Sequence, residues 1–173
     1  MQLIKLGIIS LVAFALLITG ISFFFPSHVR ISRAVEISAE KDSVWSLVSD
    51  PAGWSRWYPG ADSMKPLFKD GRIAGIGPDS MQGWMIDVVN DSSVTARAVG
   101  SSSAKRETGW NFFPGYKPGT FTIQWYMDFH LKWYPWEKFS SLLLDKRFGT
   151  MMEKGLDNLR KLAEKHQPAS SLP

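Results

Sequence analysis

The chain has 173 residues, 45% of them hydrophobic and 21% charged, a balance typical of a folded protein with a core rather than of a disordered chain. The net charge of +4 comes from scattered lysines and arginines, so the sequence predicts no nucleic-acid partner. Cysteine is absent, which excludes disulfides, thiolate metal sites and a cysteine nucleophile.

The chain begins with a long apolar segment. Leu6–Phe25 has no charged residue and no proline, and about twenty residues at about 1.5 Å each span the thickness of a hydrocarbon core. The alternative is a cleaved signal peptide, but bulky phenylalanines stand where a peptidase needs small side chains. We therefore predict a single-pass membrane anchor over residues 1–26 and a juxtamembrane linker over 27–32. The side of the membrane stays open, because basic residues flank the run at both ends.

The domain predicted for residues 33–166 begins with a strand and two helices. Arg33–Ser38 has the pattern of a short strand, and its last residue is a suitable N-cap for a helix over Ala39–Ser49. Asp50-Pro51 has the cap and the first-turn proline of a second, short helix. Glycines between Asp62 and Ser80 predict short strands joined by turns and lack the spacing of a phosphate-binding loop.

Alternation of apolar and polar residues predicts an antiparallel meander from Gln82 to Trp133. In its last strand, Phe121–Trp133, large apolar side chains share one face. Polar side chains, including Asp128 and His130, share the other face, which we assign to solvent. The strand is longer than most, which predicts that it bends.

A helical pattern follows Pro135 and continues to the end of the domain. The apolar positions change phase near Gly149, and Thr150 with Glu153 matches a capping box, so we predict that the main helix begins at Thr150. Residues 167–173 have the composition of a flexible tail.

Three stretches of the chain carry a family resemblance: Arg33–Ala39 leading to Val44-Trp45, Asp50–Trp57, and Phe148–Leu162. Together they resemble START-related domains of the polyketide cyclase/dehydrase and lipid-transport group, also called SRPBCC. The resemblance implies an α+β helix-grip fold, in which a curved antiparallel sheet wraps around a long C-terminal helix and an apolar cavity lies between them. It implies no catalytic residues, because the fold hosts binders and enzymes alike and the group shares no catalytic set.

The large apolar side chains predicted to face inward form the candidate ligand site. Each has core packing as its alternative explanation, but together they are more rings than a small core packs without gaps. We predict that they bind a hydrophobic, lipid-like small molecule, with no cofactor, and no metal ion because the histidines are dispersed. The predicted ligand-binding residues are Trp57, Trp84, Trp110, Phe121, Ile123, Trp125, Met127, Phe129, Met152 and Leu156.

Two other functions remain open. One is a cyclase- or dehydrase-type enzyme acting on an apolar substrate, for which His130 oriented by Asp128 is the best available acid–base pair. That hypothesis loses its main residues if both side chains point outward, as the alternation predicts. The other is a regulatory module for an unknown protein partner, which predicts a large exposed apolar patch.

Overall fold

The computed structural model describes residues 2–100 and 106–165, so the tail predicted over 167–173 lies outside the described residues. The strands are β1 (His28–Ile37), β2 (Lys65–Lys69), β3 (Arg72–Gly77), β4 (Gly83–Asn90), β5 (Ser93–Val99), β6 (Arg106–Pro114) and β7 (Phe121–His130). The α-helices are α1 (Gln2–Ser22), α2 (Lys41–Ser49), α3 (Pro135–Ser140) and α4 (Thr150–Lys165). Short 3₁₀ helices over Pro51–Arg56 and Ala61–Ser63 follow α2.

The seven strands form one curved antiparallel sheet in the order β1-β7-β6-β5-β4-β3-β2. The first and last strands pair along their whole length, from His28 opposite His130 to Ile37 opposite Phe121. A register shift between β4 and β5 marks a bulge, which strengthens the local twist and bends the sheet. With α4 packed against it, this sheet confirms the predicted α+β helix-grip fold.

The core lies between one face of the sheet and α4. The side chains of Met152, Leu156 and Leu159 recur at helical spacing and are buried, as the sequence pattern predicts. Gly155 lies among them, and a Cβ at this position would be 2.6 Å from the indole ring of Trp125. A glycine at this point of α4 therefore allows the helix to approach the sheet closely.

β1 begins at His28, so residues 28–32, predicted to form a linker, belong to the sheet. The polar residues of this segment give no local signal of a strand. The segment becomes a strand by pairing with β7, which lies about a hundred residues later in the chain. Asp50 follows α2 and caps the short helix Pro51–Arg56. Its side chain accepts a hydrogen bond from the backbone N–H of Ala52 (3.0 Å), which confirms the predicted cap.

β7 ends at His130, three residues before the predicted end of the strand. The backbone N–H of Leu131 donates to the carbonyl oxygen of Ser27 (2.7 Å), and the chain then leaves the sheet. Trp133, predicted to share the buried face, is 61% exposed. The alternating pattern therefore continues beyond the strand.

The helical segment after β7 is continuous where the capping box predicted a new start. α3 leads through a 3₁₀ turn into a wide π-helical turn over Asp145–Gly149, and α4 follows at Thr150. Glu153 does not cap the helix but accepts a hydrogen bond from Arg33 (2.6 Å). A π-helical turn shifts the helical phase, which explains why the apolar pattern slips near Gly149 without a helix end.

α1 is a 21-residue helix with a mean hydropathy of 2.3. None of its most apolar window is buried by the rest of the protein. Its length and composition suffice to cross a membrane, although a signal sequence has the same properties.

Candidate ligand site

Five aromatic rings fill the centre of the core. In eight pairs of these rings the centroids lie 5.2–6.4 Å apart, the separation of rings in direct contact. Each residue is at most 4% exposed. The rings belong to Trp54, Trp57, Tyr58, Trp110 and Trp125, and we call them the aromatic cluster.

Hydrogen bonds fix the aromatic cluster in place. The indoles of Trp54 and Trp57 donate to carbonyl oxygens of α2 at 2.8 and 2.9 Å. The indole of Trp125 donates to the hydroxyl of Thr108 (2.7 Å), which in turn donates to a backbone carbonyl of β7 (2.9 Å). Trp110 Nε1 is buried without a hydrogen-bond partner among the described residues. The cluster is therefore held from both the sheet and the helices.

Nine of the ten residues predicted to bind a ligand lie in this core. Three of them belong to the aromatic cluster, and the other six are at most 6% exposed. These six are Phe121, Ile123, Met127, Phe129, Met152 and Leu156. They contact one another and their neighbours in the core, and their contact with a ligand stays a prediction. Trp54 and Tyr58 are not among the predicted ligand-binding residues, although their spacing around Trp57 indicates a common helical face.

The tenth predicted residue, Trp84, lines a hollow of about 170 Å³ over strands β3 to β6, which we call the Trp84 hollow. The side chain of Trp84 packs against the buried core that contains the aromatic cluster, so the hollow adjoins this cluster. Burial raises the pKa of Tyr58 above its usual range. The lining residues are Met64, Ile76, Gly77, Pro78, Gln82, Gly83, Trp84, Ala98, Val99 and Arg106.

Arg106 brings a positive charge to the wall of the Trp84 hollow. It is paired opposite Phe129, whose side chain faces the core. The Nε of Arg106 is buried and has no hydrogen-bond partner within residues 2–100 and 106–165. Leaving a buried donor unsatisfied costs about 1–3 kcal/mol, so an acceptor that reached this atom would be favourable. Arg97, in contrast, is exposed and pairs with Asp87 (2.7 Å).

Asp128 is buried, which corrects the prediction that it faces solvent. Its side chain is 7% exposed. The carboxylate accepts two hydrogen bonds from the guanidinium of Arg30, at 2.8 and 2.5 Å, and lies 3.1 Å from His28 Nε2. It still lies on the sheet face opposite Met127 and Phe129. The covering side chains come from β1, a partner that the local pattern of β7 does not reveal.

The predicted acid–base pair is not assembled as expected. The ring of His130 stacks on that of His28, with centroids 4.6 Å apart, while the carboxylate of Asp128 is bound to Arg30. Hydrogen bonding to Arg30 holds the pKa of Asp128 below its usual range, which makes the carboxylate a weak proton acceptor. Both residues lie on the face opposite the Trp84 hollow, so they do not contribute to it.

Tyr126 also departs from the predicted solvent face. It is 7% exposed, and a Cβ on Gly109 would lie 2.5 Å from its ring, so the ring covers this glycine. Burial, followed by the charge of Glu107, raises the pKa of Tyr126 to about 12. The guanidinium of Arg30 lies 4.5 Å from the ring centroid. This part of the outer face is therefore a packed layer rather than a wetted surface.

Comparisons with known proteins agree with this architecture. Residues 28–164 match the family described as polyketide cyclase/dehydrase and lipid transport, whereas no curated protein matches the chain. A solved START superfamily protein from Mycobacterium smegmatis is 18% identical, with a TM-score of 0.56, and the match covers 80% of this chain and 99% of that one. Norcoclaurine synthase from Thalictrum flavum, in complex with dopamine and hydroxybenzaldehyde, is 15% identical, with a TM-score of 0.58 and coverage of 82% and 89%.

XoxI from Bacillus cereus is similar to the same extent, with 19% identity, a TM-score of 0.57, and coverage of 80% of this chain and 99% of that one. At such identities the structural likeness shows the fold alone. The family match, however, extends over most of the chain. The chain therefore belongs to the polyketide cyclase/dehydrase and lipid transport family, which confirms the START/SRPBCC resemblance of its sequence.

Proposed function

We propose that this protein is a membrane-anchored domain that binds a lipid-like molecule, with an apolar body and an anionic head, in the Trp84 hollow. One observation carries the proposal: Arg106, whose Nε is buried without a hydrogen-bond partner among the described residues, lines a hollow beside the core. Apolar walls with a few convergent polar groups are typical of ligand sites. Membership of a family whose description includes lipid transport supports the same class of ligand.

The packing of the core favours this hollow over the centre of the aromatic cluster. A ligand at the centre would have to separate rings that already contact one another and break indole hydrogen bonds. The Trp84 hollow, at about 170 Å³, is smaller than the usual ligand pocket of about 300–1,000 Å³. We therefore expect it to take the anionic head and the first carbons of the ligand. The remaining carbons would follow the β3–β4 turn, where Met81 is 80% exposed.

Anchoring by α1 is the second part of the proposal. The helix is apolar, unburied and joined to β1 by a short connection over residues 23–27. Holding a binding site at a membrane raises the effective concentration of a ligand drawn from it. The enzyme alternative has no comparable support, because Asp128 and His130 lie on the opposite face of the sheet.

Photo-crosslinking tests the site in the full chain reconstituted in phospholipid nanodiscs. The probes are a diazirine-labelled fatty acid and the matching neutral fatty alcohol, and mass spectrometry maps the labelled peptides. A charge-assisted hydrogen bond is worth about 1.5–3 kcal/mol, so Arg106→Gln should weaken half-maximal labelling by the acid about 10- to 100-fold. Labelling by the alcohol should not change.

Arg97→Gln is the matched control, because it removes the same charge from an exposed position of the same sheet. It should leave labelling by both probes unchanged. Labelling of the wild-type peptide that contains Trp84 supports the site. If the acid labels this peptide equally in both variants, or labels only other regions, the proposed site is wrong.

A further inference from the structure

The loop between β7 and α3 extends alongside α1. Trp133–Trp136, which we call the aromatic loop, forms a groove of about 420 Å³ with one side of α1. The helix contributes Leu11, Phe14 and Ile18 to this groove. The aromatic loop includes the first two residues of α3, and the rest of α3 returns to the end of the anchor, where the ring of Phe139 contacts that of Phe25 at 5.2 Å. The loop thus runs down along α1 and then back towards the domain.

The depth of the aromatic loop follows from the geometry of α1. Residue 15 lies at the middle of the groove, and about seven residues separate it from the end of α1 at Ser22, or about 10 Å at 1.5 Å per residue. If α1 spans a membrane, lipid surrounds the helix at this level. Side chains that contact the helix there must then lie in the same layer.

We propose that the aromatic loop and the turn that follows α3 are embedded in the lipid of one leaflet, where acyl chains occupy the groove beside α1. This inference rests on the proposed anchoring by α1. The side chains that would contact lipid are now exposed, by 61% at Trp133, 67% at Trp136, 64% at Leu142 and 66% at Leu143. A depth of about 5–10 Å is usual for apolar faces that lie in a membrane interface, and tryptophan and tyrosine are enriched there.

Three backbone N–H groups of this segment have hydrogen-bond partners within it. Polar backbone groups need internal partners in lipid. The N–H of Lys132 donates to the carboxylate of Glu137 (2.7 Å), and the N–H groups of Glu137 and Lys138 donate to the carbonyl oxygen of Tyr134 (3.1 and 3.2 Å). Pro135 has no N–H to satisfy. These bonds close the turn on itself.

Lys138 attaches this segment to the end of the anchor. Although it is 4% exposed, its ammonium donates to the carbonyl oxygen of Phe25 (2.9 Å) and to the hydroxyl of Ser27 (2.6 Å). These two hydrogen bonds hold α3 at a fixed position relative to the end of the anchor.

The charges around the segment favour a lipid surface over an apolar protein partner. Lys132 precedes the aromatic loop, Lys146 and Arg147 follow the exposed leucines in the chain, and the carboxylate of the neighbouring Asp145 is paired with Arg33. Basic side chains at the edge of an apolar surface attract anionic headgroups, at about 1 kcal/mol each. The groove is also continuous with α1, whose exposed surface is apolar. The same lipid layer can therefore cover both the groove and the exposed surface of α1.

Single-cysteine labelling tests the depth directly, since the chain has no cysteine of its own. The full chain is reconstituted in vesicles of phosphatidylcholine and phosphatidylglycerol with an NBD fluorophore at one position at a time. Lipids with a nitroxide on the acyl chain quench only fluorophores in their layer. Trp136→Cys and Leu142→Cys are the test positions. Leu16→Cys reports on α1, and Tyr116→Cys, 96% exposed on the β6–β7 turn, is the aqueous control.

We expect quenching at Trp136→Cys to be as strong as at Leu16→Cys, weaker but measurable quenching at Leu142→Cys, and none at Tyr116→Cys. If the two test positions behave like Tyr116→Cys while Leu16→Cys is quenched, the inference is overturned and the anchoring stands. That result would point to a protein partner for the exposed side chains. If Leu16→Cys is not quenched either, the anchoring fails and the inference fails with it.

Discussion

Replacing Gly155 by alanine changes both helix propensity and core packing. Helix propensity predicts a higher free energy of unfolding, and packing predicts a lower one. In an isolated helix, alanine is favoured over glycine by about 1 kcal/mol. In the folded protein, the new Cβ would lie 2.6 Å from Trp125 and 3.0 Å from Pro59. The indole cannot swing away, because it is bonded to Thr108 and enclosed by the aromatic cluster.

The magnitude follows from these two contributions. Overpacking a well-filled core costs about 1–3 kcal/mol, and a contact this short against a fixed ring belongs near the upper value. Subtracting the propensity gain leaves a net destabilisation of about 1–2 kcal/mol. For a chain of this size, that lowers the Tm by about 2–8 °C. Thermal unfolding of the full chain in mild detergent, followed by near-ultraviolet circular dichroism of the tryptophans, measures the shift.

Two variants make the result specific. Lys154→Ala changes an exposed neighbour on the same helix and should leave the Tm almost unchanged. In a Trp125→Phe background, the contacted part of the indole is absent, so Gly155→Ala should be less destabilising than in the wild type. A Tm for Gly155→Ala equal to or above that of the wild type would refute the reasoning, because propensity would then outweigh the contact.

Two further predictions concern polar groups in the sheet. Thr108→Val removes the acceptor of the Trp125 indole and should destabilise the fold by about 1–3 kcal/mol in urea unfolding, whereas Thr108→Ser should retain most of the stability; equal losses would contradict the bond's role. Asp128→Asn should cost about 1–2 kcal/mol at pH 7, because the bonds to Arg30 favour the ionised carboxylate. Since the folded-state pKa of Asp128 is lowered, this contribution is present above the unfolded pKa of about 3.9 and is lost as the pH falls through the folded value. Stability against pH checks this, and a difference from wild type that persists undiminished at pH 2 would contradict it.

The fold could be predicted from local patterns where one element carries its own signal. Alternation in β7 correctly places Met127 and Phe129 in the core, and helical spacing in α4 correctly places Leu156 there. The same alternation is wrong for Asp128, because side chains of β1 bury it and that pairing joins distant parts of the chain. The periodic spacing of apolar residues describes one strand or helix at a time. They do not show what covers its second face.

The candidate site was less accessible to sequence reasoning. Trp84 was included because it has the phase of an inward-facing strand residue, and it does line the hollow. Arg106 was interpreted as a residue of a solvated loop, whereas it begins β6, and its unpaired Nε is a property of the folded surroundings that the sequence does not show. The other predicted rings pack against one another, an outcome that their number alone did not distinguish from the lining of a cavity.

The short connection between α1 and β1 has a consequence for how the domain meets other molecules. Residues 23–27 reach at most about 17 Å when extended, and Lys138 ties this connection to α3. A domain held by α1 in a bilayer therefore has no long flexible linker that would let it move away from the membrane. Encounters would then arise from lateral diffusion, at one height and one tilt, so the protein would search for its counterparts in two dimensions.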